Sequence, residues 1–321
     1  MNQASVVDID AASGVVRGQS WVSLYSPRHQ RFSVEIVPER FKSADPRRVT
    51  ATPPQKKPAS YQLCWTGAPE NSVGGLYRAA GASSEGRRYA LAPGQSRIEN
   101  LPVQQWSTRG LRCDWGDLVE TPPVESKLTS SGIGQVAGTI THYLPGRLED
   151  CLLVVGGWAY YPKNEARSLE PGVAWQPAGP RGTPRELKAL LTGERRTRYT
   201  RKGAVDSEVV TSVEPWNPLS RDLFDVLRMI TFHQAAGGVE YTGLNHAPLR
   251  DLELTQLTQL GRGVLIGRLE TPAAQVLIDG QTPVALNQST FVRLVVPVVQ
   301  LDRAAPNVIP KLNEPSTPPS L

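Results

Sequence analysis

Cysteine is scarce in this chain of 321 residues, with only Cys64, Cys113 and Cys151. An odd and small number rules out a disulfide-built scaffold, and no C-x-x-C spacing announces a zinc or redox site. Histidine is nearly as rare: His29, His142, His233 and His246. No two of them stand four apart, and no H-E-x-x-H occurs, so the usual helical metal face is missing. A P-loop G-x-x-x-x-G-K-[ST] and a nucleophile elbow G-x-S-x-G are absent too, which removes common phosphate-cradling and acyl-transfer signatures. The longest nearly uncharged apolar run, Cys151–Tyr161, is about half of the roughly 20 residues that a membrane helix needs. Met1–Ser13 carries Asp8 and Asp10 and no apolar stretch, so it does not read as a secretion signal.

What the chain has in quantity is glycine and proline, 28 of each. Together they are about 17% of residues, against an average of roughly 12%. That surplus means many turns and short elements, hence β structure. The expected strands include Val15–Tyr25, Phe32–Val37, Ser60–Trp65, Gly75–Ala80, Arg88–Leu91, Arg97–Trp106, Val136–Tyr143, Cys151–Tyr161, Gly263–Leu269, Gln275–Asp279 and Thr290–Val299. Turn residues separate them at the spacing of a sandwich or small barrel. Lys42–Pro58, with four prolines and five basic residues, reads as a loop. The fold class expected is mainly β, with two β-sandwich-like regions, the second Ig-like with one amphipathic helix. The expected organisation is an N-terminal β-rich domain over 1–125, a second domain over 126–305 and a disordered tail over 306–321.

Two helices are expected inside the second region. Thr183 and Pro184 suit a helix start, which gives a helix over 184–193 that ends at Gly193. Leu219–Ala236 places Leu223, Phe224, Leu227 and Ile230 on one stripe, with Ser220 as cap and Gly237–Gly238 as stop.

Charge is concentrated in one place. Arg181–Lys202 holds Arg181, Arg185, Lys188, Arg195, Arg196, Arg198, Arg201 and Lys202 against only Glu186 and Glu194. The net +5 of the whole chain is therefore local, and a nucleic-acid partner is not expected. Arg195, Arg196, Arg198, Arg201 and Lys202 are candidate anion-binding residues, on a segment expected to be a solvated, mobile loop.

The remaining motifs weigh less. Gly132-Ile-Gly134-Gln-Val-Ala137 fits G-x-G-x-x-A, but strand formers follow it where a helix N-terminus would be required. His233, Glu240 and His246 are too irregularly spaced to announce a metal site. Cys64 and Cys113 each stand beside a tryptophan in a strand-like setting, and two readings stand: one bridge between neighbouring strands, or two buried thiols. No catalytic residue, metal or cofactor is expected.

The block Gly138–Gly172 adds a resemblance. Gly138, Ile140, Leu144, Leu148 and Asp150, followed by Leu169, Pro171 and Gly172, resemble a strand–turn–strand signature of bacterial extracytoplasmic Ig-like domains, with His142 where that pattern has asparagine. Glu240–Leu244 and Gly261–Arg268 resemble segments of large bacterial envelope proteins. The resemblance covers about a third of the chain and carries over no functional residues. It implies a non-catalytic, envelope-associated structural or interaction domain, the soluble part of a larger membrane protein. The partner it implies is a protein or other envelope component, or an anionic membrane surface. Two alternatives stand beside it: a hydrolase or transferase with a site dispersed in sequence, and a binder of phosphate-rich partners through residues 181–202.

Overall fold

Alternating burial writes most of the strands. In β1 (Asn2–Asp10), Val7 and Ile9 go to one side and Val6 to the other. The β2 strand (Val15–Ser26) buries every second residue from Val16 to Ser26. There follow β3 (Gln30–Pro38), β4 (Ser60–Trp65), β5 (Ala90–Leu91), β6 (Arg97–Val103), β7 (Ser107–Leu118), β8 (Val124–Gly132) and β9 (Gln135–His142). The second half supplies β10 (Leu148–Val155), β11 (Trp158–Tyr160), β12 (Arg185–Glu186), β13 (Glu194–Thr200), β14 (Ser207–Val213), β15 (Arg262–Leu269), β16 (Ala274–Ile278) and β17 (Asn287–Gln300). This computed structural model describes residues 1–39, 60–66, 89–132, 135–164, 166–178, 184–193, 216–244 and 247–300, and the backbone of 194–200 and 207–213. The mainly β class expected from the sequence is the class found.

Three sheets form. The largest runs β12-β11-β10-β15-β17-β1-β2-β7-β4, with the β8–β9 hairpin joined to it through β17. A four-stranded sheet runs β16-β3-β6-β5, and β13 pairs with β14. Pairing crosses the expected boundary at residues 125–126. The β1 strand lies parallel to β17 from Asn2↔Asn287 to Asp10↔Val295, and β3 pairs with β16. Turn spacing locates strands but is silent on which of them become neighbours, so that boundary has no counterpart in the pairing.

The two broad sheets stack as a sandwich. Their inner faces contribute Val7, Ile9, Val22, Leu24, Val34, Ile36, Ile98, Leu101 and Leu111 to one core. Short helices cover part of the outer face of the large sheet: α1 (Leu187–Leu191), α2 (Leu223–Thr231), α3 (His233–Ala236), α4 (Gly238–Thr242) and α5 (Thr255–Gln259). Leu152, Val154, Val264 and Ile266 meet Leu187, Met229 and Phe232 there. Cys151–Val155 is thus buried on both faces, which explains its unbroken apolar composition. Arg293 of β17 points into this helical side, fully buried, and donates to Thr231 Oγ1 at 3.1 Å and to the Leu252 carbonyl.

Several expected elements are redrawn. Cys151–Tyr161 is two strands, because Gly156 and Gly157 take φ of +54° and +82° and turn the chain back. The helix expected over 184–193 begins only at Leu187, since Arg185 and Glu186 pair with Ala159 and Trp158 of β11. The amphipathic segment breaks at Phe232 (φ −122°, ψ 36°) into α2 and α3. Its cap is Asp222, which accepts from the Phe224 N–H at 2.9 Å, in place of Ser220. Residues 194–200 form a strand where a loop was expected. The strand expected at Gly75–Ala80, the loop at Lys42–Pro58 and the tail at 306–321 lie outside the described residues.

Candidate functional site

The Gly138–Gly172 block resolves into structure-holding parts. Gly138, at φ +97°, sits where a Cβ would stand 1.9 Å from the Lys127 carbonyl oxygen of the paired strand. Leu144 and Leu148 are core residues, and Leu148 bridges to Leu169. Asp150, expected in a turn, lies in β10 at φ +53°, where the pairing with β15 shifts register, and its carboxylate accepts from Arg268 at 2.7 Å. His142 is buried with Nε2 at 3.0 Å from the Leu169 carbonyl, and the Gly172 N–H donates to the His142 carbonyl at 2.7 Å. Burial holds the His142 imidazole below its ordinary pKa. These residues lock one loop onto one hairpin.

The thiols are separated and muted. Leu63 pairs with Cys113, while Cys64 pairs with Arg112, so Cys64 and Cys113 leave opposite faces of the β4–β7 pair. All three cysteines are free. Burial pushes the Cys113 thiol up to about 12 and raises Cys151 further, and both shifts oppose nucleophilic use. His233 is buried against Thr242, its Nε2 at 2.9 Å from Thr242 Oγ1. Glu240 is exposed on α4, and His246 lies outside the described residues. Among the described residues no group of three His, Cys, Asp or Glu could hold a metal ion.

Of the candidate anion-binding residues, Arg195, Arg196 and Arg198 fall on β13, where they register with Ser212, Thr211 and Val209 of β14. Arg201 and Lys202 lie outside the described residues. The hairpin comes from a β-forming partner, Ser207–Val213, that the charge count of the basic segment does not register.

A different site stands at one end of the sandwich, where two connections cross side by side between the sheets. One joins β2 to β3 through Pro27, Arg28 and His29; the other joins β6 to β7 through Gln104, Gln105 and Trp106. They are tied by the Trp106 N–H donating to the Ser26 carbonyl at 2.9 Å. Trp106 is 69% exposed and Tyr25 50%, their rings 6.4 Å apart and tilted by 47°. Trp106 holds φ +58°, a left-handed conformation that costs a side chain with a Cβ about 1–2 kcal/mol. Arg28, His29 and Arg31 are exposed beside it. Arg109 donates to the Pro102 carbonyl at 2.9 Å and lies over Trp65. Neither 11–34 nor 100–113 contains an acidic residue. Sequence reading placed Trp106 at the end of a strand; its turn geometry depends on Ser26, remote in sequence.

No family model matches the chain, and no curated protein matches it. Among solved structures, the yeast delta-COP-I mu-homology domain complexed with a Dsl1 WxWxV peptide aligns over 94% of this chain and 96% of that one. The identity is 9% and the TM-score 0.26, a likeness too low to transfer a fold, a site or a partner.

Proposed function

We propose that the chain is a non-catalytic interaction domain that receives an acidic segment of a protein partner on the Tyr25–Trp106 end. The observation that carries this reading is Trp106, held largely exposed in a strained left-handed turn among arginines. Exposed Trp, Tyr and Arg in one patch are the residue types that dominate binding energy at protein interfaces. A strained conformation at such a residue is more often kept for a site than for stability. The unopposed positive charge of Arg28 and Arg31 selects acidic partners and speeds their approach. A nucleic acid is the lesser fit, because the tilted rings form no stacking platform. The envelope setting implied by the resemblance of residues 138–172 belongs to the same proposal; comparing the membrane fraction of cells that carry wild type or Trp106→Ala tests it.

Panning a random peptide library on the purified chain tests the site. Enriched peptides should combine Asp or Glu with an apolar anchor. Trp106→Ala should weaken them at least about tenfold, or about 1.4 kcal/mol, and added salt should weaken them further. Peptides that bind Trp106→Ala and Tyr25→Ala as tightly as wild type would overturn the proposal, as would a patch that binds only single-stranded DNA.

A further inference from the structure

We infer a second, separate site: a cleft of mixed polar and apolar lining beside α1 that takes a small zwitterion of amino-acid to dipeptide size, its ammonium on Glu186 and its carboxylate on Lys188. The Gly156–Gly157 turn forms one side and is clamped in place. The Gly156 N–H donates to the Thr258 carbonyl at 3.2 Å, and the Leu187 N–H donates to the Gly157 carbonyl at 2.8 Å. A Cβ built on either glycine meets nothing within 4 Å, so the turn backbone stands open to close approach. Around it lies a cleft of about 280 Å³, lined also by Glu186, Lys188, Gln234, Gln259 and Thr255. That volume is just below the range of sites for drug-sized ligands.

The lining is chemically mixed and unspent. Glu186 stands just before α1 and Lys188 in its first turn, and both line the cleft. Neither forms an ion pair with another described residue. Thr255 also lines the cleft, with its Oγ1 closed off from solvent and without a hydrogen-bond partner. The neighbouring Thr258 hydroxyl is already committed, donating to the Thr255 carbonyl at 2.7 Å. A ligand with a single charge would leave one of the two opposite charges unmatched. A zwitterion matches both, and its remaining polar atoms meet the two glutamine amides.

Thermal unfolding and calorimetric titration of the full chain test this, with the free L-amino acids and a dipeptide set as probes and butylamine and butyrate as singly charged controls. At least one zwitterion should raise the melting temperature at about 10 mM, as ligands of the native state do, and neither control should match it. Glu186→Gln and Lys188→Gln should each weaken that probe at least about tenfold. Both charged positions are exposed, so these variants should fold, which circular dichroism checks. Trp106→Ala should bind the probe as wild type does, which separates this site from the interaction surface. The inference is overturned if no zwitterion shifts the melting temperature, if the controls shift it equally, or if the Glu186 and Lys188 variants retain wild-type affinity.

Discussion

Arg293 faces Asp8 across the parallel β1–β17 pairing, and the two form a forked ion pair, Nε to Oδ1 and Nη2 to Oδ2, both at 2.6 Å. The guanidinium side is fully buried and the carboxylate side about one quarter exposed. Removing either partner leaves a charge without its counterion in a closed setting, which costs about 3–5 kcal/mol where burial is complete. Arg293→Met should therefore lower unfolding stability by about 3 kcal/mol, as should Asp8→Ala. The double variant Asp8→Ala/Arg293→Met should lose less than the two losses summed. Urea unfolding measures all three, and strict additivity would deny the coupling.

Gly18 lies opposite Trp115 in the β2–β7 pair, and a Cβ at position 18 would stand 1.9 Å from the indole. Gly18→Ala should cost at least about 2 kcal/mol through overpacking. Adding Trp115→Leu should recover part of the loss, and tryptophan fluorescence should report the displaced ring in the single variant.

His142 gives a pH dependence with a definite sign. Burial lowers its folded-state pKa below the ordinary 6.5, so the unfolded chain binds the extra proton first as pH falls. Its contribution is intact above pH 6.5 and is lost as pH falls toward the folded value. His142→Gln, which keeps a donor for the Leu169 carbonyl, should flatten the change in urea midpoint between about pH 7.5 and 5.5. An unchanged slope would assign that pH dependence to other groups.

Alkylation should rank the thiols by burial. Iodoacetamide under native conditions should reach Cys64, which is partly exposed, and spare Cys113 and Cys151. All three should react in denaturant. Mild oxidation should form no Cys64–Cys113 bridge, because the two side chains leave opposite faces of their strands. Peptide mapping reads both outcomes.

Trp106→Asn separates binding from stability. Asparagine tolerates left-handed backbone far better than tryptophan, and the lost indole is mostly solvent-facing. Stability should stay within about 0.5 kcal/mol of wild type or rise by up to about 1 kcal/mol, while peptide binding falls. A large loss of stability would make Trp106 a structural residue.

Strand identity was legible where alternation or turn residues were local. Ser60–Trp65 is found as expected, and Val15–Tyr25 gains one residue. Asn2–Asp10 does not announce a strand, because its polar positions give no sign that β2 and β17 flank it. The run Cys151–Tyr161 concealed its turn because two glycines amid apolar residues also suit a relaxed strand. The basic segment was read by its charges, whereas its backbone follows a partner strand downstream. The Tyr25–Trp106 end could not be foreseen, since it exists only where two remote crossings meet.

The parallel pairing of β1 with β17 also sets a clock. Asn2 waits for Asn287 to leave the ribosome before it finds its place. At roughly 5–20 residues per second, that delay is on the order of 15–60 s. Until then β1 can pair only with β2, which leaves its other edge open at the centre of what will be the largest sheet. That sheet cannot close before β17 has been made, and the nascent chain depends in the interval on whatever shields an unpaired strand edge.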